Sequence, residues 1–263
     1  MTDRLLIDVE NGIADVRLNR PEKLNALDPE AFRALAEAGS RLAEDRSLRA
    51  VVLSGEGRGF SAGIDVSNFA GGGVGFDPFA RDASSPANAV QRSAWVWKQL
   101  PVPVIAAVHG VCFGAGIQLA LAADVRFATP DARLSVMEIK WGLVPDVTLS
   151  QTLPPLVGID VAKELTFTGR TVSGVEAAEL GLVTHLSDTP RDAARALAEE
   201  IAGKSPSAVR AAKQLFEALP DLSVAQGLRL EEGLQRSLLG KPNQREAVQA
   251  NLEKRAPRFS DPD

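Results

Sequence analysis

The chain has 263 residues, 45% of them hydrophobic, with 29 Lys and Arg against 34 Asp and Glu for a net charge of −5. That length supports a large core in one domain or one and a half, and a pI near 5.3 argues against broad nucleic-acid binding, which needs a basic face. One cysteine, Cys112, excludes an intrachain disulfide and a thiolate cluster, and two histidines, His109 and His185, are too few for a histidine metal site. No apolar run reaches transmembrane length, and the first residues, Met1-Thr2-Asp3-Arg4, carry no signal-peptide pattern. A cytoplasmic protein is expected, with no membrane association, no nucleic-acid partner and no metal.

The first predicted elements are strands over 5–9 and 13–18, joined through Asn11-Gly12, a dipeptide suited to a tight hairpin turn. Residues 19–27, NRPEKLNAL, read as a loop. Asp28 is placed to cap a helix that Pro29 opens and that runs to about Glu44, with Phe32, Leu35, Ala36 and Leu42 on one face. A buried strand over 50–53 leads into a glycine-rich turn at 54–65, SGEGRGFSAGID. The stretch 66–88, with Gly71-Gly72-Gly73, has no periodicity and reads as a loop. No strand precedes those glycines and no Lys-Ser/Thr pair follows, so a phosphate cradle is not expected there.

A helix is predicted over 89–100. The run Val104–Val108 is continuously apolar, a buried strand preceded by Pro101 and Pro103. Gly110, Gly114 and Gly116 then break the pattern, and helical composition resumes over 117–122. A short strand follows at 124–128, helices resume near Asp146 and around 160–165, residues 172–180 form a helix with Ser173 as its cap, and 182–185 is a short strand. From Pro190 onward the pattern is helical, over 190–203, 206–219, 223–239 and 242–254. Mixed elements in front and helices alone behind predict an α/β core over 1–190 and a helical C-terminal section over 191–263.

Strand, glycine turn and helix occur in sequence twice, an arrangement that leaves backbone N–H groups unpaired and aimed at negative charge. The segment FSAGID could present the amide of Ile64, and FGAG that of Ala115. Together they would form an oxyanion hole, fixed donors facing a carbonyl oxygen as it gains charge. The plainer reading is a pair of crossover turns whose glycines permit close packing. The spacing of Gly110, Gly114 and Gly116 does not match the dinucleotide fingerprint. Glu138, flanked by Val136, Met137 and Ile139, fits a general base better than a surface charge, because apolar surroundings raise a carboxyl's pKa.

The segments NRPEKLNAL, RGFSAGID and the long run from VIAAVHG to KWGLVP resemble the crotonase superfamily, the enoyl-CoA hydratases and isomerases, in order and spacing over roughly residues 5–255. The resemblance implies a spiral of ββα units with a C-terminal helical section used for trimerisation, in a homotrimer or a dimer of trimers. It also implies an acyl-CoA thioester as ligand, its oxygen held between the amides of Ile64 and Ala115; coenzyme A is then part of the substrate and no separate cofactor is needed. By position, Lys23, Leu24, Ala26, Ala62, Asp65, Val66, Phe113, Gly114 and Leu143 fall at the acyl-CoA site. Lys23 and Leu24 lie at its adenine end, and Lys254 matches a lysine that meets the ribose phosphate. Asn251 stands where the family's usual aromatic is.

Hydratases of the family flank the substrate with two glutamates. This chain has Gln118 at the first place and Glu138 at the second, and a carboxamide can orient a group but cannot exchange a proton at neutral pH. Asp146 resembles the aspartate of the superfamily's dienoyl-CoA isomerases. It reads either as the acid/base partner of Glu138 or as a helix N-cap after Pro145. Double-bond isomerisation through an enolate is therefore expected ahead of hydration of a 2-enoyl thioester. A non-catalytic acyl-CoA or RNA binder is the reading of a different class, opposed by the acidic pI and by Glu138. His109 and Cys112 are expected to be structural, Asp65 to tie down the first glycine turn, and Trp95, Trp97 and Trp141 to pack.

Overall fold

The computed structural model describes residues 3–68, 76–83 and 85–262, and Gly71-Gly72-Gly73 lie outside them. The described strands are β1 (Leu5–Glu10), β2 (Ile13–Leu18), β3 (Ala50–Gly55), β4 (Val104–Val108), β5 (Val111–Phe113), β6 (Val125–Ala128), β7 (Arg133–Ser135), β8 (Val172–Ser173) and β9 (His185–Leu186). They form a larger sheet of order β1-β2-β3-β4-β6-β9 and a smaller one of order β5-β7-β8. Only β1 runs antiparallel in the larger sheet. Successive passes of the chain place one strand in each sheet: β4 then β5, β6 then β7, and β3 followed by Ser61, which bridges in parallel to Cys112. This is the expected spiral of ββα units.

The helices are α1 (Pro29–Glu44), α2 (Ala89–Gln99), α3 (Ala115–Leu121), α4 (Leu149–Thr152), α5 (Pro154–Val157), α6 (Ile159–Thr168), α7 (Gly174–Leu180), α8 (Pro190–Ala202), α9 (Pro206–Ala218), α10 (Val224–Leu238) and α11 (Pro242–Glu253). Asp28 caps α1 as read, its Oδ1 accepting the Ala31 N–H at 2.8 Å. α2 starts in a capping box in which Asn88 and Gln91 satisfy each other's backbone N–H groups.

Strand alternation sorts the core into two faces. Val104, Ala106 and Val108 of β4 join Val51, Leu53, Phe32 and Leu35 in the main cluster. Ile105 and Ala107 point the other way, with Ala50 and Val52, against Ala194 and Ala198 of α8. The small side chains on that face let α8 lie close on the sheet, so the helical section expected from 191 begins with a helix covering the core. Full burial of each Val, Leu or Ile contributes about 1.5–3 kcal/mol, which makes these two faces the main source of stability. α9 is pinned by Lys213, whose Nζ donates to the Asp124 carboxylate at 2.7 Å and to the Val102 carbonyl at 3.0 Å.

Several boundaries differ from the sequence reading. The stretch read as glycine turn contains β5, because Val111–Phe113 pairs with β7 and Cys112 bridges to Ser61; three residues between glycines show no periodicity. The helix read from Ile117 starts at Ala115. Val172 and Ser173 are a short strand on β7, not helix, and α7 begins after the Ser173 cap. The strand read over 182–185 is His185–Leu186. The helix expected near Asp146 begins at Leu149, with Thr148 in the cap position. Trp97 packs in the core, but Trp141 is exposed, contrary to the packing role expected for it.

The loop 19–27 is built around Asn25. Its Oδ1 accepts the Arg20 N–H at 2.8 Å, its Nδ2 donates to the carbonyls of Glu56 and Gly59 at 2.8 Å each, and its own carbonyl accepts the Ser61 hydroxyl. Asn25 also sits at φ 54°, where asparagine is tolerated better than most residues. Asn25→Ala strands buried backbone groups and should destabilise the fold by about 2–4 kcal/mol in chemical denaturation. A loss under about 0.5 kcal/mol would contradict this reading of the loop.

Candidate active site

The turns after β3 and β5 run side by side. The Ser61 N–H donates to the Val111 carbonyl at 3.0 Å, and the Phe113 N–H donates back to the Ser61 carbonyl at 2.9 Å. From that register the two chains advance in step, so Ile64 and Ala115 each stand three residues past the bridged pair Ser61 and Cys112. Their amides have no hydrogen-bond partner among the described residues. Ala115 opens α3, where a helix leaves its first N–H groups unpaired.

Two glycines allow this approach. A Cβ on Gly63 (φ 89°) would lie 2.6 Å from the Phe113 carbonyl oxygen and 3.4 Å from the Ala115 nitrogen, which shows how near the two turns come. Gly114, at φ 53° and ψ −122°, holds a conformation closed to other residues. A Cβ there would be 3.4 Å from Glu138 Oε1. Glu138 therefore stands beside the second free amide.

The first turn is held from outside by the loop 19–27. Ala62 donates to the Leu24 carbonyl at 2.8 Å, Leu27 donates to Gly63 at 2.7 Å, and Asp65 donates to Leu27 at 2.9 Å. Arg20 ties the assembly together, donating to the Ala26 carbonyl at 2.7 Å and to Asp65 Oδ2 at 3.1 Å. Hydrogen bonds from Ser67, with the Arg20 guanidinium behind them, hold the Asp65 carboxyl below its ordinary range. Asp65 thus anchors the turn, as expected. Arg20 and Asn25 were not singled out in the sequence; each sits in a motif of charged and polar loop residues that carries no mark of burial.

Glu138 begins a 3-10 turn, Glu138–Trp141, and is buried. Its Oε1 accepts from Gln118 Nε2 at 2.6 Å. Its Oε2 is buried with no hydrogen-bond partner among the described residues. Gln118, fully buried on α3, uses its other end to accept the Val147 N–H at 2.8 Å. Burial pushes the Glu138 carboxyl above its ordinary range, its own backbone N–H and then the Gln118 hydrogen bond oppose that, and the charge of Asp146 adds to the rise. Asp146 is half-buried, and burial raises its pKa too. It does not cap a helix: Thr148 is in that position and α4 starts beyond it. The N-cap reading is overturned, because the chain stays non-helical through Asp146 and reaches α4 only after a left-handed turn at Thr148 (φ 73°).

The structure brings together Ala62, Ile64, Gly114, Ala115, Gln118, Glu138 and Asp146. Leu143, exposed, stays beside Glu138 through its N–H bond to the Glu138 carbonyl at 3.1 Å. Val66 is exposed just past Asp65, Ala26 is buried in the supporting loop, and Lys23 is exposed at its tip. The Phe113 ring lies under the Arg133 guanidinium, 5.8 Å from its centroid. Lys254 is not brought in: it stands in the left-handed C-cap of α11, exposed, with no hydrogen bond or ion pair to a site residue. His109 Nε2 is spent on the Gly57 carbonyl at 2.9 Å, and burial pushes the Cys112 thiol far up, which makes it unreactive. Among the described residues no group of three or more His, Cys, Asp or Glu could hold a metal ion, and no helix is long and apolar enough to cross a membrane.

A family model described as enoyl-CoA hydratase/isomerase matches residues 8–262. The chain is 37% identical over 257 residues to the mitochondrial Delta(3,5)-Delta(2,4)-dienoyl-CoA isomerase of Mus musculus, covering 94% of this chain and 78% of the relative. It is 33% identical over 262 residues to the peroxisomal isomerase of the same name from Arabidopsis thaliana, with 96% and 94% coverage. The crystal structure of an enoyl-CoA hydratase from Bacillus anthracis superposes with a TM-score of 0.90 at 32% identity, covering 98% of this chain and all of that one.

Raised carboxyl pKa values make a signed statement about stability. A carboxyl whose folded pKa lies above its unfolded value favours folding while protonated, and that contribution is lost as pH rises through the folded pKa. Whatever fraction of Glu138 and Asp146 is ionised at neutral pH therefore weighs against the fold. Glu138→Gln and Asp146→Asn should melt no lower than the parent at pH 7, gaining about 2–4 °C for each kcal/mol relieved. The difference should shrink toward zero below about pH 4, where the unfolded carboxyls also take protons. Melting curves showing a large loss at pH 7 would contradict the placement of either carboxyl.

Proposed function

The chain belongs to the enoyl-CoA hydratase/isomerase family, and on that premise we propose that it moves a double bond along an acyl-CoA thioester through an enolate, with Glu138 as the base. One observation carries this reading. Glu138, whose Oε2 is buried and unpaired, stands against Gly114, the residue before the free amide of Ala115, while the position that supplies a second glutamate in hydratases is occupied by Gln118, both of whose polar ends are engaged.

The thioester oxygen lies between the amides of Ile64 and Ala115, which stabilise it as charge builds; removal of one such donor costs about 10²–10³ in rate. Glu138 takes a proton from the carbon next to the thioester carbonyl, and the electrons move onto the thioester oxygen. In a 3,5-dienoyl chain they then return to leave a 2,4-diene, and a proton must be delivered to carbon 6. Asp146, with its raised pKa, is the group available to deliver it, and Glu138 keeps the proton it took until exchange with solvent or with Asp146 resets the pair. The names of the mouse and Arabidopsis relatives support offering the 3,5-dienoyl thioester first. Lys23 and Leu24 serve the nucleotide end of the ligand, Ala26 backs that loop, and Lys254 reaches the ligand from a neighbouring subunit.

Hydration of a 2-enoyl thioester is the second reading, favoured by the hydratase of Bacillus anthracis at the same fold. It needs a water oriented and deprotonated as well as a proton delivered, which one free carboxylate oxygen does less well than two. Product analysis with 2-enoyl, 3-enoyl and 3,5-dienoyl thioesters separates the two. Shifted double bonds should dominate. Glu138→Gln should lower turnover by about 10²–10⁴ with binding retained, and Asp146→Asn should depress isomerisation more than hydration. A dominant water adduct selects the hydratase reading, and near-parent turnover in Glu138→Gln removes Glu138 as base. Binding of acyl-CoA or RNA without any turnover selects the non-catalytic binder.

Assembly and location belong to the same proposal. Val224, Leu228 and Leu239 on and after α10, and Val248 and Leu252 on α11, are exposed in the single chain. Such apolar surface on a terminal helical section favours burial against further copies. Light scattering in the micromolar range should give about three or six times the 27.9 kDa chain mass. A monomer would overturn this and the cross-subunit role of Lys254 with it. The reading keeps the protein in the cytoplasm, whereas the named relatives are mitochondrial or peroxisomal.

A further inference from the structure

We propose that Gln118 is a positioning residue that gives Glu138 a working side: its amide forms a one-way hydrogen-bond chain from the Val147 N–H to Glu138 Oε1, so that Oε2 is the oxygen that takes and gives the proton. The inference deepens the proposed function and rests on its assignment of Glu138 as the base.

The direction of the chain follows from which groups can donate. The Val147 N–H can only donate, so the amide oxygen of Gln118 faces it, at 2.8 Å. The Gln118 Nε2 must then face Glu138 and donate, at 2.6 Å, to Oε1. An oxygen receiving that N–H cannot also carry a proton pointed at it. The N–H makes Oε1 the poorer place for a proton, so a protonated Glu138 favours carrying it on Oε2, the buried oxygen that accepts no such bond. A glutamate at 118 would lose this direction, because a carboxyl can accept or donate at either oxygen according to its own protonation.

The same chain reaches the second carboxylate. Val147 follows Asp146 directly, and Thr148 beyond it holds φ 73°, a strained conformation for a β-branched residue. The Gln118–Val147 bond fastens the strained segment from the α3 side, which sets Asp146 against Glu138. Charged groups on the elements around Glu138 are Lys140 on its own turn, Arg133 on β7, Asp146, Asp160, Lys163 and Glu164 on α6, and Arg170 next to it. Arg170 is held by Glu164 and Glu176, and of the whole set Asp146 is the one whose charge acts on Glu138. α3 and α4 carry no charged side chain.

The test reads Glu138 directly. Carboxyl-¹³C NMR of glutamate-labelled protein, with the Glu138→Gln spectrum assigning the resonance, follows its titration without substrate; the pH dependence of kcat and of KM is measured alongside. In Gln118→Met the donor is gone while the volume is kept. Glu138 should titrate at higher pH than in the parent, the acid limb of kcat/KM should move up with it, and kcat should fall about tenfold or more with KM little changed. In Gln118→Glu the introduced carboxyl can imitate the donor only while protonated, so activity should fall again as pH rises, an alkaline limb the parent lacks. An unchanged Glu138 titration in both variants, with parent-like pH profiles, would overturn the proposal. If Gln118→Met does not fold, the isosteric Gln118→Glu carries the test alone. Failure of the base assignment itself is read separately, from retained turnover in Glu138→Gln.

Discussion

The Ser61 N–H bonds to Val111 and the Phe113 N–H bonds back to Ser61, and this short parallel pairing sets the register of both turns that supply free amides. Each turn alone is a common way of linking strand to helix. Paired, they advance together and bring the unpaired amides of Ile64 and Ala115 into neighbouring turns. The pairing exists because each pass of the spiral leaves one strand in the larger sheet and one in the smaller, so that the segment after β3 lies beside β5 as β5 lies beside β7. Its closeness depends on positions where a side chain cannot be tolerated: Gly63 against the Phe113 carbonyl, and Gly116 with its missing Cβ 2.7 Å from that of Ser61.

Glu138 is the other half of the arrangement, and its energetics are a balance of unequal terms. A carboxylate taken out of water costs several kcal/mol, while a hydrogen bond to a charged group returns about 1.5–3 kcal/mol. Its own backbone N–H and the Gln118 amide together do not fully compensate the burial, and the group stays above its ordinary pKa with Oε2 lacking a side-chain partner. That imbalance suits a base, since a carboxylate held above its ordinary range takes up a proton more readily than a free one. The fold tolerates it because the large apolar faces against α1 and α8 supply stability elsewhere.

Much of this was legible in the sequence. The apolar run of β4, the Asp28-Pro29 start of α1 and Glu138 each carry a local signal and are found where they were read, and the two glycine turns stand at the expected places with altered boundaries. What was not legible depends on distant pairings. β5 is three residues long and exists only by bonding to Ser61 and β7. Asp146 reads in sequence either as a partner of Glu138 or as a helix cap, and only the left-handed Thr148, which delays the helix past it, removes the second. Gln118 reads as the loss of a carboxylate, and only its two partners, one of them a backbone N–H at Val147, reveal what the amide holds. Arg20 and Asn25 lie in a stretch that resembles any polar loop until their buried partners are seen.

The central claim is that two fixed amides and one unpaired carboxylate oxygen make the carbon beside a thioester acidic. A saturated acyl-CoA thioester, which can be neither hydrated nor isomerised, isolates that step. Incubated with the protein in D₂O and followed by ¹H NMR, its α-protons should be replaced by deuterium at a rate that depends on enzyme, and Glu138→Gln should abolish the exchange while still binding the thioester. Absence of exchange with the parent protein, or equal exchange in the variant, would contradict the account.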